Sequence, residues 1–252
     1  MHDSAIESKK RIRILDVPVD AVSRAEAAAV LDALLRTEGC SLIATPNSEI
    51  LWNAAKDAGL KAILDGADLV IPDGIGLVYA SRIIGSPLSE RVTGIDFLDA
   101  ALCRLADAGE SVYLLGGAPG VAEKAAERMR ARYPALRVAG VCHGYYKPEE
   151  EAAIVEEINE SGAAFLCAAL GSPKQERFIH AHREALRVRA AIGVGGSLDI
   201  WAGVQKRAPA FLRERGLEWL YRLARQPARI KRVAVLPLFM LRVLAAGKPR
   251  RR

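Results

Sequence analysis

The stretch VYLLGGAPGVAEKAAERMRAR, residues 112–132, decides the fold class. Its first four residues are apolar, and the run is short enough for a buried strand, whereas Val121–Arg132 has the pattern of a helix. Gly116, Gly117 and Gly120 provide the turn between the two segments. A strand that passes through a glycine turn into a helix predicts a layered α/β architecture.

The same alternation of apolar runs and helical segments extends over residues 12–202. One helical segment, Arg24–Leu35, begins with the capping-box pattern Ser23-x-x-Glu26. The apolar runs of strand length are Ser41–Pro46, Leu69–Ile71, Val112–Leu115, Val138–Val141, Phe165–Leu170 and Ala190–Val194. We therefore predict a Rossmann-like, mostly parallel sheet with helices on both faces.

The pattern changes after Trp201, where helix signals continue without strands and are interrupted by prolines. We predict two parts, an α/β body over residues 1–202 and a basic helical C-terminal appendage over residues 203–252. The 252 residues are 51% apolar and 26% charged, a composition that excludes a disordered chain. The four cysteines form no CxxC pair, so no spacing indicates a zinc or redox motif. Residues 1–15 lack the apolar core of a secretory signal, and we do not expect export.

The charge is unevenly distributed. The formal net charge is +6, yet residues 203–252 contain 14 Lys and Arg against two Glu, and residues 1–202 contain 22 basic against 28 acidic residues. A basic segment on an acidic body indicates a surface for phosphates, on a nucleic acid, an anionic membrane or a diphosphate substrate.

An apolar segment within the appendage, Val233–Leu241, is nine residues long and contains Pro237. Spanning a bilayer takes about twenty residues, so this segment is too short to cross one as a single helix. Because Lys and Arg flank it on both sides, we interpret it as a segment that lies in the headgroup region of an anionic membrane. The alternative is a basic-rimmed helix packed on the body.

Polar residues follow several of the predicted strands. In doubly wound sheets, ligands bind beyond the carboxyl ends of the strands, so these residues are expected to converge on one site. The four segments are Thr45-Pro46-Asn47, Pro72-Asp73-Gly74, Gly116–Gly120 and Gly171–Glu176.

Each of these segments also has a structural interpretation. Asp73 before Gly74 is typical of a turn, but a carboxylate there could accept a proton from an attacking hydroxyl group. Asn47 has the position of a helix N-cap. Ser172 and Gln175 have capping-box spacing, although Gln175 and Glu176 also suit a hydroxyl-rich ligand. The backbone of Gly116–Gly120 could bind a phosphate at the start of the helix that follows. The segment matches neither the GxGxxG motif nor a P-loop, so a plain turn between strand and helix stays equally possible.

Metal-free chemistry is favoured, because the sequence contains no Asp-x-Asp pair that would hold a divalent ion on a nucleotide diphosphate. The basic appendage is then the source of positive charge for a diphosphate. Arg222, Arg229 and Arg232 are spaced seven and three residues apart, which places them on one face of a helix unless Pro227 bends it.

Several linked motifs resemble the WecG/TagA/CpsF family of bacterial glycosyltransferases, from Ile14 to about Leu244. In the body they are Thr45-Pro-Asn47-Ser-Glu49, Pro72-Asp73-Gly-Ile-Gly76, Arg91-Val-x-Gly94-x-Asp96, Leu114-Leu-Gly-Gly117, Gly171-Ser-Pro-Lys-Gln175-Glu176 and Gly195-Gly-x-Leu-Asp199. In the appendage they are Arg207-Ala-Pro209, Gly216-Leu-Glu-Trp219-Leu-Tyr-Arg222 and Pro227-x-Arg229.

This resemblance implies an inverting glycosyltransferase that needs neither cofactor nor metal ion. Its donor would be a UDP-sugar, carrying N-acetylmannosamine, its uronic acid or a related sugar, and its acceptor a polyprenyl-diphosphate-linked sugar used for surface polysaccharide or teichoic acid. The implied location is peripheral, on the cytoplasmic face of the bacterial plasma membrane. The implied base is Asp73. The implied substrate-binding residues are Thr45, Asn47, Arg91, Gln175, Glu176, Arg222, Arg229 and Arg232.

Two other functions are compatible with parts of the sequence. A dinucleotide-dependent Rossmann-like enzyme is suggested by Gly116–Gly120, but the full glycine spacing is missing. A nucleic-acid-binding protein is suggested by the basic appendage, but aromatic residues are only 6% of the chain and no recognition motif is present, so we expect no nucleic-acid partner. The oligomeric state stays open, a homo-oligomer included.

Overall fold

The computed structural model describes Ile6 and residues 9–247, without the side chains of Arg229 and Lys231. The strands are β1 (Arg11–Ile14), β2 (Val17–Asp20), β3 (Ser41–Ala44), β4 (Leu69–Val70), β5 (Ser111–Gly116), β6 (Arg137–Cys142), β7 (Phe165–Ala169) and β8 (Ala190–Gly193). The body helices are α1 (Arg24–Leu34), α2 (Ser48–Ala54), α3 (Ala58–Asp65), α4 (Ile75–Ile83), α5 (Gly94–Asp107), α6 (Val121–Arg132), α7 (Glu151–Glu160), α8 (Lys174–Ala181) and α9 (Ser197–Trp201). The helices that follow are α10 (Ala210–Glu214), α11 (Glu218–Arg225), α12 (Ile230–Val233) and α13 (Val235–Ala246).

Six of these strands form one parallel sheet in the order β4-β3-β8-β7-β5-β6. β1 and β2 form a separate antiparallel hairpin, which the sequence analysis did not identify. The predicted Rossmann-like α/β fold is confirmed. Because β4, β3, β8 and β7 are consecutive neighbours in this order, the loops that follow them leave adjacent positions of the carboxyl edge.

The core has two layers, one on each face of the sheet. Along β5, Val112 and Leu114 belong to one apolar cluster, whereas Tyr113 and Leu115 belong to the other. Successive side chains of a strand point to opposite faces, so a strand covered on both sides is apolar at every position. This explains why the strands were visible in the sequence as continuous apolar runs.

Local signals fix several helix ends. The Ser23 and Glu26 capping box is present at the start of α1, and α6 has the predicted bounds Val121–Arg132. Asn47 caps α2, where its Oδ1 accepts from the backbone N–H groups of Glu49 and Ile50 at 2.9 and 3.0 Å. This cap satisfies backbone donors that have no partner within the helix.

Helix α13 joins the appendage to the body by packing against α2 and α4. Phe239 and Val243 on one face are fully buried in the core, and burying such side chains stabilises the packing by about 1.5–3 kcal/mol each. On the other face, Leu238, Leu241 and Leu244 are 50%, 62% and 57% exposed. None of the described helices is both long and apolar enough to cross a membrane.

Candidate active site

A cavity of about 310 Å³ lies at the carboxyl edge of the sheet, beside β3, β4, β7 and β8. Residues from the strand ends form one wall, and residues after position 215 form the opposite wall. The strand-end side includes Thr45, Asn47, Ser48, Asp73, Arg91, Thr93, Gly171, Ser172, Gln175, Gly195 and Ser197. The opposite side includes Gly216, Glu218, Trp219, Arg222, Arg232, Val233 and Leu236. Three of the four strand-end segments predicted from the sequence therefore meet in one cavity.

Gly216 allows the close approach of the two walls. It lies in the left-handed region with φ +72°, and a Cβ atom there would come within 2.8 Å of Cγ1 of Ile75. Any other residue would combine a strained backbone with this overlap. The glycine thus lets the chain before α11 lie directly against α4.

Asp73 follows β4 and lines the cavity. Its backbone N–H donates to the carbonyl of Pro46 at 3.0 Å, which joins the segments after β3 and β4. The pKa of Asp73 is raised from its ordinary value to about 6, mainly by burial, and the Glu218 carboxylate contributes to this rise. The guanidinium groups of Arg222 and Arg91 and the backbone N–H of Gly94 oppose this rise. A carboxylate with this pKa is mostly ionised at pH 7 and still able to accept a proton.

Thr45 and Gln175 are fixed by hydrogen bonds to neighbouring main chain. The Thr45 hydroxyl donates to the carbonyl of Gly193 at 2.7 Å, across the β3–β8 pair. Oε1 of Gln175 accepts from the backbone N–H of Gly195 at 2.9 Å, and its Nε2 donates to Oε1 of Glu176 at 3.0 Å. Asn47 uses its Oδ1 for the helix cap, which leaves its amide NH₂ group as the part that can donate to a ligand.

Glu176 lies behind Gln175 and does not line the cavity. Burial raises the pKa of Glu176, while hydrogen bonds from Gln175 and Ser172 lower it. The structure therefore places it as a support for the Gln175 amide rather than as a group facing a ligand. The capping-box interpretation of Ser172 and Gln175 is wrong, because α8 begins at Lys174 with Pro173 at its N-cap and no side chain caps it.

Three arginines surround the carboxylate of Glu218, and we call Arg91, Arg207 and Arg222 the arginine cluster. Oε2 of Glu218 is 3.4 Å from Nη2 of Arg91, and its Oε1 is 3.9 Å from both Nε of Arg207 and Nη2 of Arg222. Arg207 is also paired with Oδ1 of Asp96 at 2.6 Å. Arg232 lies apart from this cluster, with its Nε 3.6 Å from Oε1 of Glu49.

Arg222, Arg229 and Arg232 do not lie on one continuous helix, because the helix breaks at Pro227, the exception that the sequence analysis allowed. α11 ends at Arg225, a 3₁₀ turn spans Pro227–Arg229, and α12 begins at Ile230. Proline has no backbone N–H and clashes with the preceding helical turn, so the helix cannot continue through Pro227. Arg222 and Arg232 nevertheless both line the cavity, whereas the side chain of Arg229 lies outside the described part of the structure.

Sequence reasoning assigned no role to Glu218, Arg207 or Glu49, although all three lie within the quoted motifs. The available signal for Glu218 was its position four residues before Arg222, since residues four apart share a helix face. Its contact with Arg91, 127 residues away, had no local signal.

Gly116–Gly120 does not line the cavity. Gly120 has φ +82° and begins α6, and the carbonyl of Gly117 accepts from the backbone N–H of Gly144. This geometry favours the plain turn over the phosphate loop and removes the observation that suggested a dinucleotide-dependent enzyme. Among the residues that the structure describes, no three His, Cys, Asp or Glu side chains are grouped to hold one metal ion.

Comparison with known proteins gives a consistent result. The model of a protein family described as "Glycosyl transferase WecG/TagA/CpsF family" matches residues 12–252. An N-acetylglucosaminyldiphosphoundecaprenol N-acetyl-beta-D-mannosaminyltransferase of Bacillus spizizenii (strain ATCC 23059 / NRRL B-14472 / W23) is 37% identical over 83% of this chain and 82% of its own length. The protein of the same name from Bacillus subtilis (strain 168) is 33% identical over 82% of this chain and 80% of its own length. The fold, the cavity and these similarities together show that the chain belongs to the WecG/TagA/CpsF family of glycosyltransferases.

Proposed function

We propose that this glycosyltransferase moves N-acetylmannosamine, its uronic acid or a related sugar from a UDP-sugar to a polyprenyl-diphosphate-linked sugar, with inversion and without a metal ion. The observation that carries the proposal is that Asp73 and Arg222 line one cavity, where the positive charge of Arg222 acts on a carboxylate that can accept a proton. The names of the two Bacillus relatives support the choice of acceptor and of transferred sugar.

Asp73 is the proposed general base. The acceptor hydroxyl oxygen forms a bond to the anomeric carbon of the donor sugar while its proton passes to the Asp73 carboxylate. The bond between that carbon and the UDP oxygen breaks, and the electron pair leaves with UDP. With a pKa of about 6, Asp73 is available as a base at neutral pH, and general bases of this kind accelerate such steps about 10²- to 10⁴-fold.

The guanidinium groups at the cavity are the proposed electrophilic partner of the departing UDP. Arg222 and Arg91 carry fixed positive charge, and planar guanidinium groups suit two-pronged binding of phosphate oxygens. Charge placed in advance where negative charge develops stabilises the transition state. These side chains are the proposed substitute for a divalent ion, with Arg232 and Arg229 as further members.

The polar residues of the strand-end wall are proposed to hold the donor. Asn47 and Gln175 line the cavity with amide groups, and Thr45 adds a hydroxyl group held against Gly193. Sugars carry many hydroxyl groups that need paired donors and acceptors, and fixed amides supply both. Glu176 is proposed to act through Gln175, since it accepts from the Gln175 amide.

The exposed apolar face of α13 is the proposed membrane contact. Leu238, Leu241 and Leu244 lie on this face, and Arg242 and Arg225 are exposed nearby in the chain. Apolar side chains beside basic ones bind the interface of an anionic bilayer, where each basic residue contributes about 1 kcal/mol. The acceptor's polyprenyl chain is held in that bilayer, so we propose peripheral attachment to the cytoplasmic face of the plasma membrane.

Turnover with defined substrates tests the function. Full-length enzyme is incubated with anionic vesicles that carry a polyprenyl-diphosphate-linked N-acetylglucosamine acceptor, with a panel of UDP-sugars, in the presence of EDTA. We expect mass spectrometry to show one new glycolipid and free UDP. A strict requirement for an added divalent ion contradicts the metal-independent mechanism, and the absence of product with every UDP-sugar contradicts the proposed donor class.

A further inference from the structure

The arginine cluster draws on three separate parts of the chain. Arg91 precedes α5 in the body, Arg207 lies in the segment after α9, and Arg222 belongs to α11. The Glu218 carboxylate is the group that contacts all three, and it is 14% exposed within the cavity wall. One negative charge thus joins guanidinium groups of distant sequence position, two of which, those of Arg91 and Arg222, line the cavity.

The geometry of these contacts differs from that of a purely structural ion pair. Asp20 and Arg11 form such a pair, with two hydrogen bonds of 2.7 and 2.9 Å between a fully buried carboxylate and one guanidinium. Glu218 instead shares its charge among three partners at 3.4–3.9 Å. Bidentate pairing engages two of the five N–H donors of a guanidinium group in short hydrogen bonds to one carboxylate, whereas looser sharing leaves those donors available to another anion.

We propose that Glu218 is a positioning residue of the transfer reaction, whose single negative charge holds Arg91 and Arg222 together at the place where the leaving diphosphate develops charge. The inference rests on the proposed function. Without the carboxylate the two guanidinium groups repel each other, and each would move toward solvent. Arg207 would stay in place, because Asp96 holds it independently.

A positioning role for Glu218 predicts that its replacement lowers kcat but not the affinity for UDP, whereas a general loss of structure would lower both. Replacing Glu218 by Gln keeps the side-chain size and removes one negative charge from a cavity that binds an anion. The Coulomb attraction for UDP is then maintained or increased, while the arrangement that favours the transition state is lost. We therefore expect kcat to fall and the affinity for UDP to stay at least as high as in the wild type.

The acid side of the pH profile provides a second readout. The groups that face Asp73 are Arg222 and Glu218 from α11, Arg91 from the segment before α5, and the backbone N–H of Gly94. The negative charge of Glu218 raises the pKa of Asp73, whereas Arg222, whose effect is larger, and Arg91 lower it. Because both guanidinium groups are expected to move away in Glu218→Gln, the pKa of Asp73 is expected to rise, and the acidic limb of kcat to move to higher pH.

The experiment compares four full-length proteins: wild type, Glu218→Gln, Glu218→Asp and, as the matched control, Glu214→Gln. Glu214 is exposed, ends α10 and does not line the cavity. For each protein, kcat is measured with a UDP-sugar that the wild type uses, UDP affinity by calorimetry, and folding by circular dichroism.

For Glu218→Gln we expect kcat to fall about 10- to 100-fold, with no loss of UDP affinity and an acidic limb at higher pH. Glu218→Asp keeps the charge and is expected to recover most of the lost kcat, and Glu214→Gln to match the wild type. Unchanged kcat in Glu218→Gln overturns the proposal, as does a parallel loss of kcat and UDP affinity.

If Glu218→Gln does not fold, the proposal is tested with Glu218→Asp instead. Retained UDP affinity with kcat within about fivefold of the wild type supports the charge-based role, and loss of both overturns it. A wild type that neither binds UDP nor turns over contradicts the proposed function, and the inference falls with it. An active wild type whose Glu218→Gln variant is equally active contradicts the inference alone.

Discussion

The two walls of the cavity are built in different ways. On the strand-end wall, Thr45 and Gln175 are buried and bonded to the main chain of β8 and the loop after it. On the opposite wall, the side chains of Arg222 and Arg232 are 43% and 62% exposed, and each lies 3.6–3.9 Å from a carboxylate. One wall is fixed by the fold, and the other is held by shared charge.

This difference separates two tasks. Hydrogen bonds to buried main chain hold a group in one orientation, which suits a base and the residues that orient a sugar. Partly exposed ion pairs are weaker and are screened by salt, so their arginines can also bind a diphosphate. We expect changes on the strand-end wall to affect the chemical step most, and changes on the opposite wall to depend more on charge and pH.

The largest expected effect is that of Asp73→Asn. Loss of the base is expected to lower kcat about 10³-fold with UDP affinity within a few fold of the wild type. In the wild type, kcat is expected to fall below pH 6, because Asp73 must be ionised to accept a proton and its pKa is about 6. Steady-state kinetics from pH 5 to 8 checks both statements. An Asp73→Asn enzyme with near wild-type kcat would remove Asp73 from the mechanism.

Arg222→Gln ranks second. We expect kcat to fall about 100-fold, since one positioned donor to a developing charge contributes about that much. The positive charge of Arg222 lowers the pKa of Asp73, so its removal is expected to move the acidic limb of kcat to higher pH, the same direction as expected for Glu218→Gln. Two limbs that move in opposite directions would contradict this electrostatic description of the cavity.

The strand-end wall was the more predictable of the two. Continuous apolar runs located the strands of the parallel sheet, and the convergence of strand ends in such a sheet predicted that Thr45, Asp73 and Gln175 lie together. The sequence did not show which way a side chain turns within one helical turn, and so Glu176 was assigned to the ligand although it supports Gln175.

The opposite wall was harder to predict because its contacts are distant in sequence. Helical spacing placed Arg222, Arg229 and Arg232 together, but the break at Pro227 divides them between α11, a 3₁₀ turn and α12. The contact between Glu218 and Arg91 depends on how the residues after position 209 fold back on the body, which local patterns do not encode.

The third prediction concerns the membrane contact of α13, where we expect a moderate loss of vesicle binding. Leu241→Glu replaces an exposed apolar side chain of α13 by a negative charge, and we expect sedimentation with anionic vesicles to weaken about tenfold. Val204→Glu is the matched control, because Val204 is equally exposed but lies outside α13. Equal weakening in the two variants would show that net charge, rather than this face, governs vesicle binding.

Arg232→Gln is expected to have the smallest effect. Arg232 is exposed and pairs with Glu49 at 3.6 Å, so its field at the diphosphate is screened. We expect kcat/KM to fall about two- to fivefold at low ionic strength, and the difference from the wild type to shrink at ~0.5 M salt. A loss of activity as large as that of Arg222→Gln, or one that salt does not reduce, would contradict this prediction. It would show that Arg232 is held in a fixed position, as the residues of the strand-end wall are.

Helix α13 also determines how far an anchored substrate has to travel. Leu236 lines the cavity from one side of this helix, and Leu241 lies on its exposed face, so the two side chains are separated by the diameter of a helix, about 10–12 Å. If the exposed leucines of α13 insert into the bilayer surface, the cavity lies at the level of the lipid headgroups. A polyprenyl tail could then stay among the acyl chains while its diphosphate enters, and the search for acceptor would become two-dimensional diffusion along the bilayer plane.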